Sequence, residues 1–370
     1  MMILLSLFWG TDMCVRAEDL KFMKIAIKLA HKGRGLTEPN PLVGAVVVKN
    51  GKILSYGFHK SFGQEHAEKM ALKHVTEKNT TLYVPLEPCS HYGKTPPCTD
   101  LIIKKRVKRV VISIKDPNPV VGGTGVEKLT KNNIEIDLGC LKDVYSEMNR
   151  HYLKYMKEKK PYVTIKAGVS IDSKLTDKYR KSKWITDKEL RDYSHSLRGE
   201  FSAILVGVKT IIEDNPILNI REKIWSGKKL YRIVLDSNNI MAQDLKIFMD
   251  QENFPLIIFS SRNTDNKNKK VKDHFFVKSN KNGLYLREIL QILYKKGIAS
   301  VLVEGGGNVI DSFLKEKLYD EIILFCADKL IGGKESVELL PSGMSTSNPI
   351  IFKKREILEF DSGYILRGFK

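Results

Sequence analysis

The sequence predicts an α/β protein folded as two domains, and three observations carry that expectation. Between residues 19 and 146, short Val-, Ile- and Leu-rich runs alternate with stretches whose apolar residues recur at helical spacing. The alternation restarts at Tyr162, just after Lys157-Glu158-Lys159-Lys160-Pro161, a charge run meeting a proline. At 370 residues the chain is long enough for two separate cores.

In the first half, Phe22, Ile25, Ala26, Leu29 and Ala30 share one face of a helix that starts near Asp19. Leu42 to Val48 and Ile53 to Gly57 read as paired strands around Asn50-Gly51, a dipeptide suited to the positive φ values of a tight hairpin. Pro39-Asn40-Pro41 is a stiff turn whose Asn side chain either faces a ligand or closes the turn itself. A second helix opens at His66 with Ala67, Met70, Ala71, His74 and Val75 inward, which makes His74 a core residue. Leu82 to Leu86 is a strand that delivers Cys89. Pro96-Pro97 leads into a helix that begins at Cys98 and carries Leu101, Ile102 and Ile103. Val107 to Ile114 and Ile134 to Leu138 are strands separated by a Gly-rich turn at 122–125. Residues 141–160 read as helical, with the part from 147 to 160 connecting the domains.

In the second half, Tyr162 to Lys166 is a strand, and Thr186-Asp187-Lys188-Glu189 is a capping box opening a helix through Leu197. Ala203 to Gly207, Tyr231 to Asp236 and Pro255 to Ser260 are strands; 261–274 is a polar, basic, mobile loop. Leu284 to Lys295 is a helix. The strand Ser300 to Val303 runs into Glu304-Gly305-Gly306-Gly307-Asn308 and a helix to Leu314. That arrangement either presents backbone N–H groups to a phosphate or is simply a turn. The expected division is an extension or disordered tail at 1–18, domains at 19–146 and 161–370, and the connecting helix between them.

Composition narrows the class. With 42% hydrophobic and 28% charged residues the chain is globular, which excludes wholesale disorder. The net charge of +19 invites a nucleic-acid partner, but the lysines are scattered and form no single stripe. They fit a solvated surface and a phosphorylated small substrate better. Five cysteines, at 14, 89, 98, 140 and 326, show no paired spacing, which suits a reducing cytoplasm. The apolar stretch Met2 to Trp9 is too short to span a bilayer and lacks the flanks of a signal peptide, so no membrane partner is expected.

The chemistry gathers in His66-Ala67-Glu68 and in Pro88-Cys89-Ser90-His91-Tyr92-Gly93-Lys94-Thr95-Pro96-Pro97-Cys98. One imidazole and two thiolates are the ligands zinc takes when it keeps an open position for water, whose pKa it lowers to about 7. Glu68, no ligand itself, sits where a proton shuttle is needed. Zinc-dependent nucleobase deaminases carry H-x-E followed by P-C and a second Cys, usually spaced C-x-x-C; here eight residues intervene. The alternative is a closed structural zinc site, with His91 as the nearby candidate for a fourth ligand, or two buried cysteines beside a surface His.

Together these motifs resemble a family. Pro39-Asn40-Pro41-Leu42-Val43-Gly44 and the two elements just described match in the first half. In the second, Lys183-Trp184-Ile185-Thr186, Asp214-Asn215-Pro216 with Leu218 and Arg221, Val234-Leu235-Asp236-Ser237 and Val303-Glu304-Gly305-Gly306 match. From about residue 19 onward the chain resembles the bifunctional riboflavin-biosynthesis deaminase/reductases, whose own cysteine spacing is the long one.

The resemblance implies a cytidine-deaminase-like three-layer domain followed by a dihydrofolate-reductase-like α/β domain. It implies hydrolytic deamination of a diaminopyrimidinone bearing a phosphoribosylamino group, then reduction of the ribosyl group by NADPH. His66, Cys89 and Cys98 would hold zinc, with Glu68 moving the proton. Asn40, His59, His91 and Lys94 would contact substrate, Lys94 at the phosphate. Gly168, Trp184, Thr210, Asp214, Ser237 and the segment Gly306, Gly307, Asn308, Val309, Ile310, Asp311 and Ser312 would bind NADPH. Ser182, Arg198, Leu218, Arg221 and Glu304 would bind the second substrate, Arg198 and Arg221 as a phosphate fork. A homo-oligomer in the cytoplasm is expected.

Two departures from the family pattern stand in the reductase half. Ser173 replaces a usual glycine in Ile171-Asp172-Ser173, and Asp177 to Ser182 lacks glycine. No general acid for the reduction is evident. Two rival readings are a transfer-RNA base deaminase, which leaves 161–370 without a role, and a binding protein with a decayed half.

Overall fold

Asn50 and Gly51 take φ values of 49° and 72°, the two positive angles a two-residue hairpin requires. Strand β1 (Gly44–Lys49) therefore folds straight back onto β2 (Lys52–Phe58). The computed structural model describes residues 16–92, 96–119, 121–179, 184–261, 270–281 and 283–370. Residues 1–15 of the expected tail, Lys94, Ser182, Lys183 and 262–269 of the polar loop lie outside them. The chain divides into two units, Met1–Lys159 and Lys160–Lys370.

In the first unit the sheet order is β2-β1-β3-β4-β5, with β3 at Thr81–Tyr83, β4 at Arg109–Ile112 and β5 at Glu135–Leu138. β1 is antiparallel to β2 and β3, whereas β3, β4 and β5 run parallel. Parallel neighbours need crossovers, supplied by α3 (Cys98–Lys104) and α4 (Thr124–Lys131), while α1 spans Ala17–His31. Two glycines set the layers. A Cβ on Gly44 would lie 2.1 Å from the Ala26 carbonyl of α1, and one on Gly57 2.6 Å from the Ala67 carbonyl of α2 (Ala67–Leu72). Gly57 pairs with Ala45 in the register, and consecutive strand residues face opposite sides. Hence α1 and α2 cover opposite faces, which makes three layers.

Several boundaries differ from expectation. Helix α1 begins at Ala17, and α2 stops at Leu72 after six residues, leaving His74 exposed outside it. The turn expected at 122–125 is the start of α4, which buries only Gly125 and Leu129 and so carries almost no apolar stripe to read. Residues 141–160 form two helices, α5 (Lys142–Met148) and α6 (Arg150–Glu158), broken at Asn149. They belong to the first unit: Tyr145 and Tyr152 are buried in its core, with Met148, Leu153 and Met156 packed against it. Among the described residues Cys89, Cys98 and Cys326 are free thiols.

The second unit is built on a nine-stranded sheet. Its strands are β6 (Tyr162–Ser170), β8 (Ala203–Gly207), β9 (Tyr231–Leu235), β10 (Leu256–Ser260), β11 (Asp273–Phe276), β14 (Ser300–Val303), β15 (Glu321–Ala327), β17 (Lys354–Phe360) and β18 (Gly363–Phe369). The order is β11-β10-β9-β8-β14-β6-β15-β18-β17, parallel as far as β15 and antiparallel beyond it. Two short ladders, β7 (Lys174–Thr176) with β16 (Val337–Glu338) and β12 (Ser279–Asn280) with β13 (Gly283–Leu284), lie outside it.

On one sheet face Val163, Ile165 and Val301 pack with α9 (Leu286–Lys295) and α10 (Gly307–Lys315). On the other, Leu302 packs with Leu190 of α7 (Lys188–Ser196), and Val206 with Ile211 of α8 (Val208–Asp214). Asp187, and not Thr186, caps α7, its Oδ1 accepting from Leu190 N–H at 3.0 Å. Helix α8 and the strands β15, β17 and β18 were not expected from the sequence.

Ser173, where the resemblance leads to an expected glycine, sits between β6 and β7 with φ 61°. A residue with a Cβ is strained by about 1 kcal/mol in that left-handed region. Ser173→Gly is therefore expected to hold or raise the melting temperature. A β-branched Val at 173 should lower stability by about 1–3 kcal/mol, read by thermal unfolding.

Candidate active site

Gly57 lets the start of α2 approach β2, and this places His66, its N-cap residue, and Glu68 in its first turn. After β3, the segment through Pro88 delivers Cys89, and Cys98 opens α3. His66 Nδ1 lies 3.6 Å from Cys89 Sγ and 3.4 Å from Cys98 Sγ, and the three atoms fall within 4.8 Å of one another. Zinc bound tetrahedrally, with Zn–N about 2.0–2.1 Å and Zn–S about 2.3 Å, sets such N···S pairs at about 3.5 Å apart. The donor set fits the metal. Among the described residues no fourth ligand joins it, and His91 is exposed at the pocket instead, so a closed structural site is not formed.

Cys89 Sγ accepts the Cys98 backbone N–H at 3.3 Å. Hydrogen bonding from Cys98 and then from His66 lowers the Cys89 thiol to about 4, whereas the Cys98 thiol rises, through its hydrogen bond to Cys89 and burial. The His66 imidazole is raised to about 9, chiefly by its hydrogen bond to Cys89. Zinc takes cysteine as thiolate and histidine as neutral imidazole, so its binding there would release protons. Glu68 is buried, and burial pushes its carboxyl up, as suits a group that must both take and give a proton.

His66, Glu68 and Cys89 line one pocket of about 750 Å³ including its open mouth. Asn40 and His59 share it. His59 Nδ1 lies 3.0 Å from the Glu65 carbonyl and its Nε2 3.2 Å from Asn40 Nδ2. An Nδ1–H donated to Glu65 makes Nε2 the acceptor, so Asn40 donates to it. Burial holds the His59 pKa below its usual value. Both His59 nitrogens are thus engaged within the protein, and Asn40 meets His59 through its amide nitrogen.

The pocket also contains residues the sequence reading passed over: Glu87, Asp116, Asn118, Tyr152 and Met156. The buried Glu87 carboxylate accepts N–H groups from Asp116, Gly123 and Val126 at 3.1, 3.0 and 3.0 Å, tying down the segment before α4. Tyr152 O–H donates to Asp116 Oδ1 at 2.7 Å. The signal was available: Glu87 and Cys89 follow β3, and Asp116 and Asn118 follow β4, at the carboxyl ends where parallel strands place ligands.

In the second unit, Glu304 follows β14. Arg198 grips it with two bonds, Nε to Oε1 at 3.1 Å and Nη2 to Oε2 at 2.8 Å, and Lys166 Nζ lies 3.5 Å from Oε1. Arg198 also donates to the Asn219 carbonyl at 3.3 Å. Each guanidinium nitrogen thus donates once, which leaves a second N–H on Nη1 and on Nη2, and Arg221 is exposed. A cationic setting is present. Burial first, then Arg198, Arg221 and Lys166, lower His195 to about 4. Lys166 and His195 carried no motif and were missed.

Burial alone would raise the Glu304 carboxyl, but Arg198 and Lys166 hold it at about 2. A depressed carboxylate contributes stability above its unfolded pKa of about 4.3 and loses it as pH falls through the folded value. The second unit is expected to lose stability between about pH 4 and about pH 2, and Glu304→Gln should flatten that slope in thermal unfolding.

The remaining residues are dispersed more widely. Gly168 lies in β6, Thr210 and the exposed Asp214 in α8, and Ser237 after β9. Leu218 is buried with φ 55°, and the half-exposed Trp184 ring lies under the Arg191 guanidinium at 4.8 Å. Of 306–312, Gly306 caps α10 and Gly307 starts it, beside Asn308, Val309 and Ser312. Ile310 packs into the core, and the Asp311 carboxylate accepts from Ser342 at 2.6 Å.

Fold and donor set are those of a zinc-dependent deaminase joined to a second α/β domain, and comparison with known proteins identifies both halves. The family model for the cytidine and deoxycytidylate deaminase zinc-binding region matches residues 16–114, and that for the RibD C-terminal domain matches 161–366. The riboflavin biosynthesis protein RibD of Aquifex aeolicus is 42% identical, over 86% of this chain and 89% of its own length. That of Escherichia coli is 34% identical, over 92% and 96%. The solved diaminohydroxyphosphoribosylaminopyrimidine deaminase/5-amino-6-(5-phosphoribosylamino)uracil reductase of Thermotoga maritima superposes with a TM-score of 0.86. It shares 38% identity, covering 95% of this chain and 98% of that one. The chain belongs to the RibD family, the bifunctional deaminase/reductases of riboflavin biosynthesis, with zinc and NADPH as cofactors.

Proposed function

We propose that the first unit deaminates 2,5-diamino-6-(5-phosphoribosylamino)pyrimidin-4-one and that the second reduces the ribosyl group of the product to ribityl. The observation that carries the first step is the open three-ligand cluster with the buried Glu68 carboxyl beside it. Bound zinc supplies Lewis acidity and makes water reactive near neutral pH. Glu68 takes the proton released from water and gives it to the departing ammonia. Asn40 Oδ1 orients the ring by accepting an N–H, while His59 holds the Asn40 amide in place from behind. His91 contacts the ligand at the pocket mouth, and Lys94 pairs with its phosphate.

For the second step NADPH supplies the hydride. The residues that bind it are Gly168, Trp184, Thr210, Asp214, Ser237 and the start of α10. Ser182, Leu218 and Arg221 bind substrate together with the Arg198–Glu304 pair, and the cations around Glu304 favour a phosphorylated ligand. A homo-oligomeric enzyme of the cytoplasm acting on small molecules fits this role. Among the described residues no helix is long and apolar enough to cross a membrane, and neither nucleic acid nor membrane is needed as a partner. Supplying the diaminopyrimidinone phosphate tests the reading: ammonia should appear without NADPH, and the ribityl product only with it. Deamination of RNA oligonucleotides, with the free nucleotide untouched, would overturn it.

A further inference from the structure

We propose that Asn149, at the break between α5 and α6, is a positioning residue for deamination: it fixes the main chain that carries Asn40 into the pocket. This deepens the reading above and rests on the assignment of Asn40 to the substrate.

Leu42 lies before β1, outside any ladder, so its peptide groups need partners from elsewhere. Asn149 supplies both. Its Oδ1 accepts the Leu42 N–H at 2.8 Å, and its Nδ2 donates to the Leu42 carbonyl at 3.2 Å. Only a carboxamide offers a donor and an acceptor side by side in this way. The Asn149 side chain is buried, and Tyr145 O–H reaches the same carbonyl at 2.8 Å.

Leu42 is two residues from Asn40, and the residue between them is Pro41, whose ring fixes its φ. Holding Leu42 therefore leaves Asn40 little freedom. The same helices hold the other end of the turn, where His151 Nδ1 meets Glu38 Oε1 at 2.7 Å. Asn40 N–H closes the turn onto the Thr37 carbonyl at 2.8 Å. The pocket face of the turn is then set by the Asn40–His59 bond. Asn149 touches no ligand in this arrangement; it acts through Asn40.

A double-mutant cycle separates positioning from mere support of the fold. Asn149→Leu is expected to raise KM for the diaminopyrimidinone phosphate about tenfold, the effect of losing one well-placed hydrogen bond. Deamination kcat, zinc content and the reductase rate on the aminouracil should change far less. In the Asn40→Ala background the same substitution should have almost no further effect on KM. Asn149→Asp keeps the volume and the acceptor for Leu42 N–H, and it should fall between wild type and Asn149→Leu, or replace it if that variant fails to fold. Additive effects in the cycle, or an unchanged KM in both Asn149 variants, would overturn the inference while leaving the role of Asn40 intact. Wild-type kinetics in Asn40→Ala would instead remove the substrate assignment on which it stands.

Discussion

Replacing Glu68 with Gln is expected to lower the deamination rate by about 10²–10⁴-fold, the range a positioned proton-transfer group contributes. The amide keeps the shape of the carboxyl but cannot accept and return a proton. His66, Cys89 and Cys98 remain in place, so the metal content should stay that of wild type. The NADPH-dependent step, assayed on the already deaminated aminouracil, should run at its normal rate. Loss of zinc in the variant would mean that Glu68 holds the site together and does not serve its chemistry.

A comparably large effect on stability is expected at Arg109. In the first unit Asp19 and Arg109 are both buried. Arg109 Nη1 and Nη2 donate to the two Asp19 oxygens at 2.8 and 2.7 Å, its Nε reaches Asp137 at 2.5 Å, and Tyr83 O–H donates to Asp19 at 2.9 Å. Burial pushes the Asp19 pKa up, but Arg109 and Tyr83 outweigh it and the net shift is downward. Arg109→Met leaves a carboxylate in the core without its counter-ion, a loss of about 3–5 kcal/mol.

With two units in one chain, a single unfolding curve does not isolate this effect. Amide exchange in α1 and β4 is the better measurement, and it should accelerate by more than about a hundredfold. The sign with pH follows from the depressed carboxylate. Its contribution is present above the unfolded pKa of about 3.9 and disappears as pH falls through the lower folded value. The gap between wild type and variant should therefore narrow below about pH 4.

The metal site was legible in the sequence because its chemistry is local. His66 and Glu68 share a helix start, Cys98 opens another, and Asn50-Gly51 announces its hairpin. What escaped depends on distant packing. Nothing local distinguishes α6 from a linker: its burial comes from Tyr152 and its neighbours meeting a core made of residues far away in the chain. The two domain classes were expected from the resemblance, and the sheets agree with it.

Buried charges were equally hidden. Arg109, Glu87 and Lys166 look like surface residues until the fold shows their partners, and nothing local in the sequence pairs Arg198 with Glu304. The extra helix α4 went unnoticed for a different reason, since a helix with two inward residues leaves no periodic trace. His74 shows the converse error: a helical period continued past Leu72, where the helix had already ended.

The most direct test follows NADPH absorbance after adding the diaminopyrimidinone phosphate to wild-type protein and to Glu68→Gln. If the two sites act in order, wild type consumes NADPH after a lag. The variant then consumes almost none until the aminouracil is supplied, when it matches wild type. Equal consumption of NADPH by both proteins on the diaminopyrimidinone would show that reduction does not wait for the first site, and would contradict the account.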